Sequence, residues 1–359
     1  MQRFISIFGL CTVLFVTGCR AQPAFPYMYP YPKAKFTLHV VNQDGIPIED
    51  AEIEANFSYC NHDLCKRTDE NGYVTFESGA VTDVLFTNRR YKTWRTPNVI
   101  DHYYATLIHK EFHTPSKNTK DGKWQPWNPI IEMVLKERIN PIPMYATSRW
   151  NELKIPLLNT WCGFDMTVND WVSPHGSGSH ADIEIYYQWD GFDGKDYHGS
   201  TLEIRFPDEK AGYYTFQYPC NKNGRSQHSF ISPYHAEPSN TFNPKMSFSD
   251  IIVLKKEPVG DRVFQCIRSN HMKRGTGYIF RTRTRFDENG NLIGAHYGKI
   301  YPTPDALFRR SRKGNAFISL RYYLNPTEND TNLEYDPKKN LFMEKVKPSE
   351  HWKYRDLAP

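Results

Sequence analysis

FTLHVVNQDGIPIEDAEIEANFSYCNHDLCKRTDENGYVTF, residues 36 to 76, reads as the opening strands and turns of a small β-sandwich. Phe36, Leu38 and Val40 share one face of the first strand while Thr37, His39 and Val41 share the other, the period of two that a half-buried strand requires. Asp44-Gly45 supplies a tight turn. Ile46-Pro47-Ile48 then leads into Ala51-Glu52-Ile53-Glu54-Ala55, where small or apolar residues alternate with carboxylates, so one face is dry and the other wet. At Asp69-Glu70-Asn71-Gly72, Asn-Gly tolerates the positive φ that hairpin turns demand, and Tyr73-Val74-Thr75-Phe76 resumes the strand.

The segments VVNQDGIPIEDAEI and TDENGYVTF together resemble the carboxypeptidase-regulatory-like, or prealbumin-like, sandwich domains of exported bacterial proteins. Gln43 to Ile48 with Ala51, and then Thr68, Asp69, Asn71 and Gly72, carry the likeness. The resemblance covers about a hundred residues and implies an Ig/prealbumin-like module, noncatalytic, used as scaffold, spacer or binding domain. After Phe76 an Arg- and Tyr-rich excursion departs from the family pattern.

The first eighteen residues read as an export signal, with Met1-Gln2-Arg3 as a cationic start and Phe4 to Val16 as an apolar run. Val16-Thr17-Gly18-Cys19 resembles the lipobox of bacterial lipoprotein precursors. That resemblance implies cleavage before Cys19, lipid attachment to it and a membrane partner through the anchor. Arg20 rather than Asp follows the cysteine, which favours an outer membrane where the cell has one. Residues 19–33 then form a tether whose stretch AQPAFPYMYPYPK holds four prolines and three tyrosines and excludes a helix.

The chain from Cys19 has 341 residues, enough for two domains. Its formal balance is 44 basic against 40 acidic residues once Arg3 leaves with the signal, too even for a nucleic-acid partner. Aromatic residues at 15% and strands punctuated by Gly, Pro, Asn and Asp make it mainly β. The expected organisation is a sandwich over 34–137, a Pro-containing linker over 138–145, and a larger antiparallel β-sandwich or jelly-roll-like domain over 146–325. A polar segment, 326–359, closes the chain with irregular backbone. In the larger domain Ile183, Ile185, Tyr187 and Trp189 face one way, and Asp182, Glu184, Tyr186 and Gln188 the other. Asp287-Glu288-Asn289-Gly290 reuses the turn of Asp69 to Gly72.

Several groups invite chemistry. Cys60 and Cys65 flank four residues, a spacing that suits a small disulfide outside the cytoplasm. Cys162, Cys220 and Cys266 are an odd set. Trp124 and Trp127, in a polar loop, are candidates for stacking on sugar rings or for covering the sandwich. Asp190, Asp193 and Asp196 in WDGFDGKDYHG recur every third residue and can surround calcium, although Asp-Gly is equally what a hairpin loop needs. No other cofactor is expected. His175 and His180 are candidate ligands with Asp170 or Asp182. Arg281, Arg283 and Arg285 share one strand face and call for acids on neighbouring strands or an anionic ligand. Arg309 to Lys313 reads as an exposed basic turn.

No H-x-x-E zinc pattern, G-x-S-x-G elbow, S-x-x-K or Walker-type loop occurs. The expected function is a cell-envelope lipoprotein acting as a structural or binding module for an envelope protein or a glycan. The alternative is a β-sandwich hydrolase or lyase of envelope polysaccharide using acids such as Asp165, Asp170 and Glu184.

Overall fold

The computed structural model describes residues 31–57, 64–80, 83–87, 103–104, 106–111, 118–148, 151–192, 197–220, 228–256, 263–270, 275–301, 308–310 and 315–354. Residues 1–30, which hold the signal, Cys19 and most of the tether, lie outside them, as do Cys60, Asp193 and Asp196.

The opening alternation becomes β1 (Lys33–Asn42), followed by β2 (Glu52–Phe57), β3 (Leu64–Arg67), β4 (Tyr73–Gly79) and β5 (Asp83–Thr87). Next come β6 (Leu107–Glu111), β7 (Thr119–Lys120), β8 (Lys123–Trp124) and β9 (Ile130–Leu135). One sheet sets β1 between β4, antiparallel, and β8 and β9, both parallel; the other runs β3-β2-β5-β6. Phe36, Leu38, Ile53, Phe57, Phe76, Phe86 and Met133 fill the space between them, the burial that makes a two-sheet module stable.

The turn at Asp69 to Gly72 does not close a hairpin, as the sequence suggested. It links β3 to β4, which belong to different sheets. Asp69 Oδ1 accepts the N–H groups of Asn71 and Tyr73, and Gly72 sits at φ 75° with its Cα turned against the Val40 carbonyl. Asp287 to Gly290 repeats this bonding, with Asp287 Oδ1 accepting from Asn289 and Asn291. There it does join a hairpin. The local chemistry fixes the turn, and the flanking strands decide what it connects.

The larger domain contains β10 (Ile142–Ala146), β11 (Glu152–Lys154), β12 (Cys162–Asp165), β13 (Asp170–Trp171), β14 (Ile183–Phe192) and β15 (Tyr197–Arg205). They are followed by β16 (Gly212–Gln217), β17 (Lys245–Lys256), β18 (Val263–Asn270), β19 (Thr276–Phe286) and β20 (Leu292–Tyr301). The last are β21 (Phe308–Arg310), β22 (Ala316–Ser319), β23 (Arg321–Leu324) and β24 (Tyr335–Asn340). Sheet I runs β13-β12-β14-β15-β17-β18 and sheet II runs β16-β19-β20-β23-β10-β24, with β11-β22-β21 beside them. Phe164, Ile183, Ile185, Leu202, Ile204 and Phe248 of sheet I pack on Tyr278, Phe280, Ile300, Tyr322 and Leu324 of sheet II. The fold is therefore mainly β, a small sandwich followed by a larger one.

Two expectations about the chain's layout are corrected. The second half of the 138–145 linker is strand β10, bonded between β23 and β24. The polar segment after 325 is built into the domain. Leu333, Tyr335, Phe342 and Tyr354 are buried, β24 pairs parallel with β10, and a 3-10 helix spans Pro348–Lys353. Its polar residues serve the backbone: Asn340 Nδ2 donates to the Ala146 and Tyr354 carbonyls.

Sheet II is covered on both sides. Its outer face carries Ile279, Ala295, Tyr297, Tyr301 and Tyr323, and these pack with Ile231, Ala236 and Phe242 from the segment between β16 and β17. On sheet I, the described outer side chains of β14, β15 and β17 are exposed or half-buried polar groups.

Candidate functional site

Three constellations of charged and aromatic side chains stand out, and their access to solvent differs. The first is an ionic knot where β12, β14 and β19 meet. Asp165 and Asp182 are buried, and Arg283 bridges them, with Nη2 2.9 Å from Asp165 Oδ1 and Nε 2.7 Å from Asp182 Oδ1. Arg283 is at φ 53° inside a bulge of β19, where the register with β20 shifts between Thr282 and Arg285. That bulge breaks the three-arginine face expected from the sequence. Arg281 donates instead to the Lys210 and Pro238 carbonyls, and Arg285 pairs with Glu328.

The remaining lone pairs in this knot are also used. Asp165 accepts from Thr167, Ser179 and His180, and Asp182 from Met166 and Thr282. Burial raises the Asp165 carboxyl, but the hydrogen bonds from Thr167, Ser179 and His180 outweigh it and hold the group below the usual range. Asp208 accepts the Arg283 N–H at 2.7 Å and lies 3.3 Å from His180 Nε2, which raises the His180 pKa through that hydrogen bond. Every carboxylate has its partners, so the knot locks the two sheets together.

The second constellation is closed off. Lys299, at 0% exposure, projects from the outer face of sheet II and donates from Nζ to the Ser232 hydroxyl at 3.1 Å. The rings of Phe230, Tyr323 and Tyr301 surround the amine at 4.6, 5.0 and 5.2 Å from their centroids. Burial pushes its pKa well below the ordinary value, Arg321 adds to the effect and Glu334 opposes it. Beside it Glu334 accepts from the Tyr104 hydroxyl at 2.6 Å, the Ile139 N–H at 2.9 Å and the Asn140 N–H at 2.6 Å. That one carboxylate fastens the first domain and the connector to the second. An amine of lowered pKa beside a hydroxyl has the composition of a base and nucleophile, yet Ser232 is as buried as Lys299.

The third is open. On the outer face of sheet I, register places Glu184, Arg205 and Lys245 in one row across β14, β15 and β17, and Tyr186, Glu203 and Ser247 in the next. Gln188 and Thr201 continue into a third. Trp161, just before β12, extends the second row beside Tyr186, its ring centroid 5.4 Å away. The indole also lies 4.2 Å from the Arg205 guanidinium and 5.6 Å from Lys245 Nζ. Strands are about 4.8 Å apart, so an indole from β12 that reaches groups on β15 and β17 lies across the sheet. Glu184 pairs with Arg205, and Glu203 pairs with Lys245 at 2.8 Å.

Sequence reasoning named the wet side of β14 but missed Trp161. The missing signal was register: Cys162 faces Ile185, which sets the preceding residue beside Tyr186.

The residues singled out from the sequence are mostly not brought together. Trp124 is corrected from a stacking candidate to a core residue. It is 1% exposed and its indole N–H donates to the Ala80 carbonyl at 2.7 Å, so no ring face is left for a sugar. Trp127 is half-buried with Lys123 Nζ 5.0 Å from its ring. His175 and His180 do not converge on Asp170 or Asp182: Asp170 accepts from Ser177, Asp182 binds Arg283 and His180 meets Asp208. Among the described residues no group of three or more metal-ligating side chains gathers. Asp190 lies on β14 and Cys266 on β18 with side chains outside the description, and the calcium reading through Asp193 and Asp196 falls outside it too. Cys65 Sγ lies 3.3 Å from Glu52 Oε1; its expected partner Cys60 is outside the described residues. Cys162 is buried and Cys220 half-buried. Arg309 and Arg310 lie on β21, and the rest of the basic turn is not described.

No family model matches the chain, and no curated protein matches it. Among solved structures, a DUF3823 family protein from Parabacteroides merdae is 7% identical, with 81% of this chain and 98% of that one covered, at a TM-score of 0.18. The full-length major pilin SpaD from Corynebacterium diphtheriae is 11% identical, with 86% and 84% covered, at 0.21. BcpA, the major pilin subunit of Bacillus cereus, is 12% identical, with 80% and 95% covered, at 0.19. At such scores nothing about this chain's activity rests on these likenesses.

Proposed function

We propose that this protein is a cell-envelope lipoprotein, anchored through Cys19, whose β domains act as a structural or binding module. The outer face of sheet I is its working surface. One observation carries the reading: the acids of the ionic knot and the Lys299 amine are buried and internally satisfied, whereas the Trp161–Tyr186 face is half-exposed on the outer side of a sheet. The lipobox-like VTGC and the Pro-rich stretch to Lys33 support an anchor and tether, with the outer membrane as destination where the cell has one. A Cys60–Cys65 bridge belongs to the same exported setting, and thiol alkylation with and without reduction detects it.

Fractionation of cells carrying Cys19→Ala tests the anchor. The expected result is loss of the protein from the envelope fraction; a variant that stays there unchanged refutes anchoring. The alternative, a polysaccharide hydrolase or lyase, draws on Asp165, Asp170 and Glu184. Each of them is committed to its own partner: Arg283, Ser177 and Arg205 respectively.

A further inference from the structure

We propose that the outer face of sheet I binds an uncharged, hydroxyl-rich polysaccharide that lies across the strands on Trp161 and Tyr186. This rests on the reading of that face as the working surface and specifies its ligand.

Charge decides the class first. Its three described rows carry two acids and two bases, already matched as Glu184–Arg205 and Glu203–Lys245. An acidic polymer or a phosphorylated ligand would have to approach a carboxylate to reach either cation, whose charge that carboxylate already offsets. A basic ligand would have to do the reverse. An uncharged polyol does neither, and its paired hydroxyls can bond to both members of an ion pair without separating them.

Shape and composition agree. The three rows contain no aliphatic side chain. They contain two aromatic rings set among Gln188, Thr201 and Ser247, each able to donate and to accept a hydrogen bond. Pyranose rings have that same duality. Their C–H faces pack on aromatic π-systems while the equatorial hydroxyls point sideways to polar groups. The indole also lies across the sheet, so it offers a platform rather than a plug. From the Glu184 row to the Gln188 row the surface runs four residues along the strand, about 13 Å, room for more than one sugar of a chain. A pairing of cations with Trp161 holds the ring in place beforehand, which lowers the entropy lost on binding.

Native affinity electrophoresis of the purified full-length lipoprotein in detergent tests this, with gels containing hydroxyethylcellulose, glucomannan, galactomannan, dextran or soluble starch. Gels containing polygalacturonate or hyaluronate serve as acidic counterparts. The expected result is retardation by at least one uncharged polymer. Trp161→Ala should weaken it roughly tenfold or more, and Trp352→Ala, at the exposed indole of the 3-10 helix, should leave it unchanged. Ser247→Glu adds an unmatched charge at an exposed position and keeps the question answerable if Trp161→Ala does not fold; it too should weaken binding. Retardation by none of the uncharged polymers, retardation only by acidic ones, or equal retardation in wild type and both face variants overturns the proposal. If the face instead crosslinks to a protein in cells while no polymer binds, the module reading stands and the polysaccharide inference alone fails.

Discussion

Lys299→Met isolates the buried amine of sheet II. Methionine replaces the methylene stem of lysine without its terminal nitrogen, and its thioether tolerates the cage of Phe230, Tyr301 and Tyr323. In the wild type, folding strips a proton from Lys299, because burial lowers its native pKa well below the 10.5 of the ordinary side chain. Between those two values the unfolded chain holds one more proton than the native one. Unfolding free energy therefore rises with pH in that window, with a slope from this group of about 1.4 kcal/mol per pH unit. The sign is opposite to that of a lysine in a salt bridge. The variant lacks the group, so the wild-type minus variant difference should climb as pH rises towards 10.5 and level off above it. At neutral pH the variant should be the more stable protein, even after losing about 1 kcal/mol for the hydrogen bond to Ser232. Urea titrations of both proteins across this range supply the numbers, and other titrating groups cancel in the difference. Parallel stability curves would show that Lys299 keeps its proton in the fold and would refute the reasoning.

Asp182→Asn should destabilise the larger domain by about 3 kcal/mol in urea unfolding, because it leaves Arg283 half-paired at a site only 26% exposed; a cost under about 1 kcal/mol would mean the knot is slack. Glu334→Ala strands the Tyr104 hydroxyl and the Ile139 and Asn140 N–H groups. It should cost about 3 kcal/mol and speed proteolysis across residues 138–141, while unchanged cleavage would show that the domains are held by other contacts. Gly72→Ala places a Cβ 2.5 Å from the Val40 carbonyl at a positive φ, whereas Gly290→Ala at the same φ meets nothing within 4 Å. Thermal unfolding should therefore show the larger loss at Gly72, and equal losses would mean that the backbone angle alone sets the cost.

Strands were legible where burial is one-sided. Ile183, Ile185 and Tyr187 lie inside as their alternation implied, and Ile130 to Leu135 is β9 residue for residue. Features that depend on partners distant in sequence were not. The Arg281–Arg285 stretch read as one face because nothing in it marks a bulge; arginine at φ 53° is held by Asp165 and Asp182 from other strands. Asp69 to Gly72 predicted a turn correctly but not that it passes between sheets, which depends on where β1 and β2 lie. The segment after 325 looked irregular because its Asn and Asp residues favour turns. Its large aromatics Tyr335, Phe342 and Tyr354 were the signal of docking. Trp124 and Trp161 differ in the same way: a polar loop context suggested exposure for the first, whose indole N–H had a buried carbonyl to reach, and the second emerged only with the register of β12 and β14.

Site-specific photocrosslinking in intact cells tests the central claim most directly. A photoreactive phenylalanine replaces Thr201 on the open face of sheet I, or Lys35 or Lys66 on the first domain as comparison positions. The account predicts a discrete adduct, glycan or protein, from Thr201 and markedly less from the other two. Adducts at Lys35 or Lys66 with none at Thr201 would place the working surface on the first domain and contradict it.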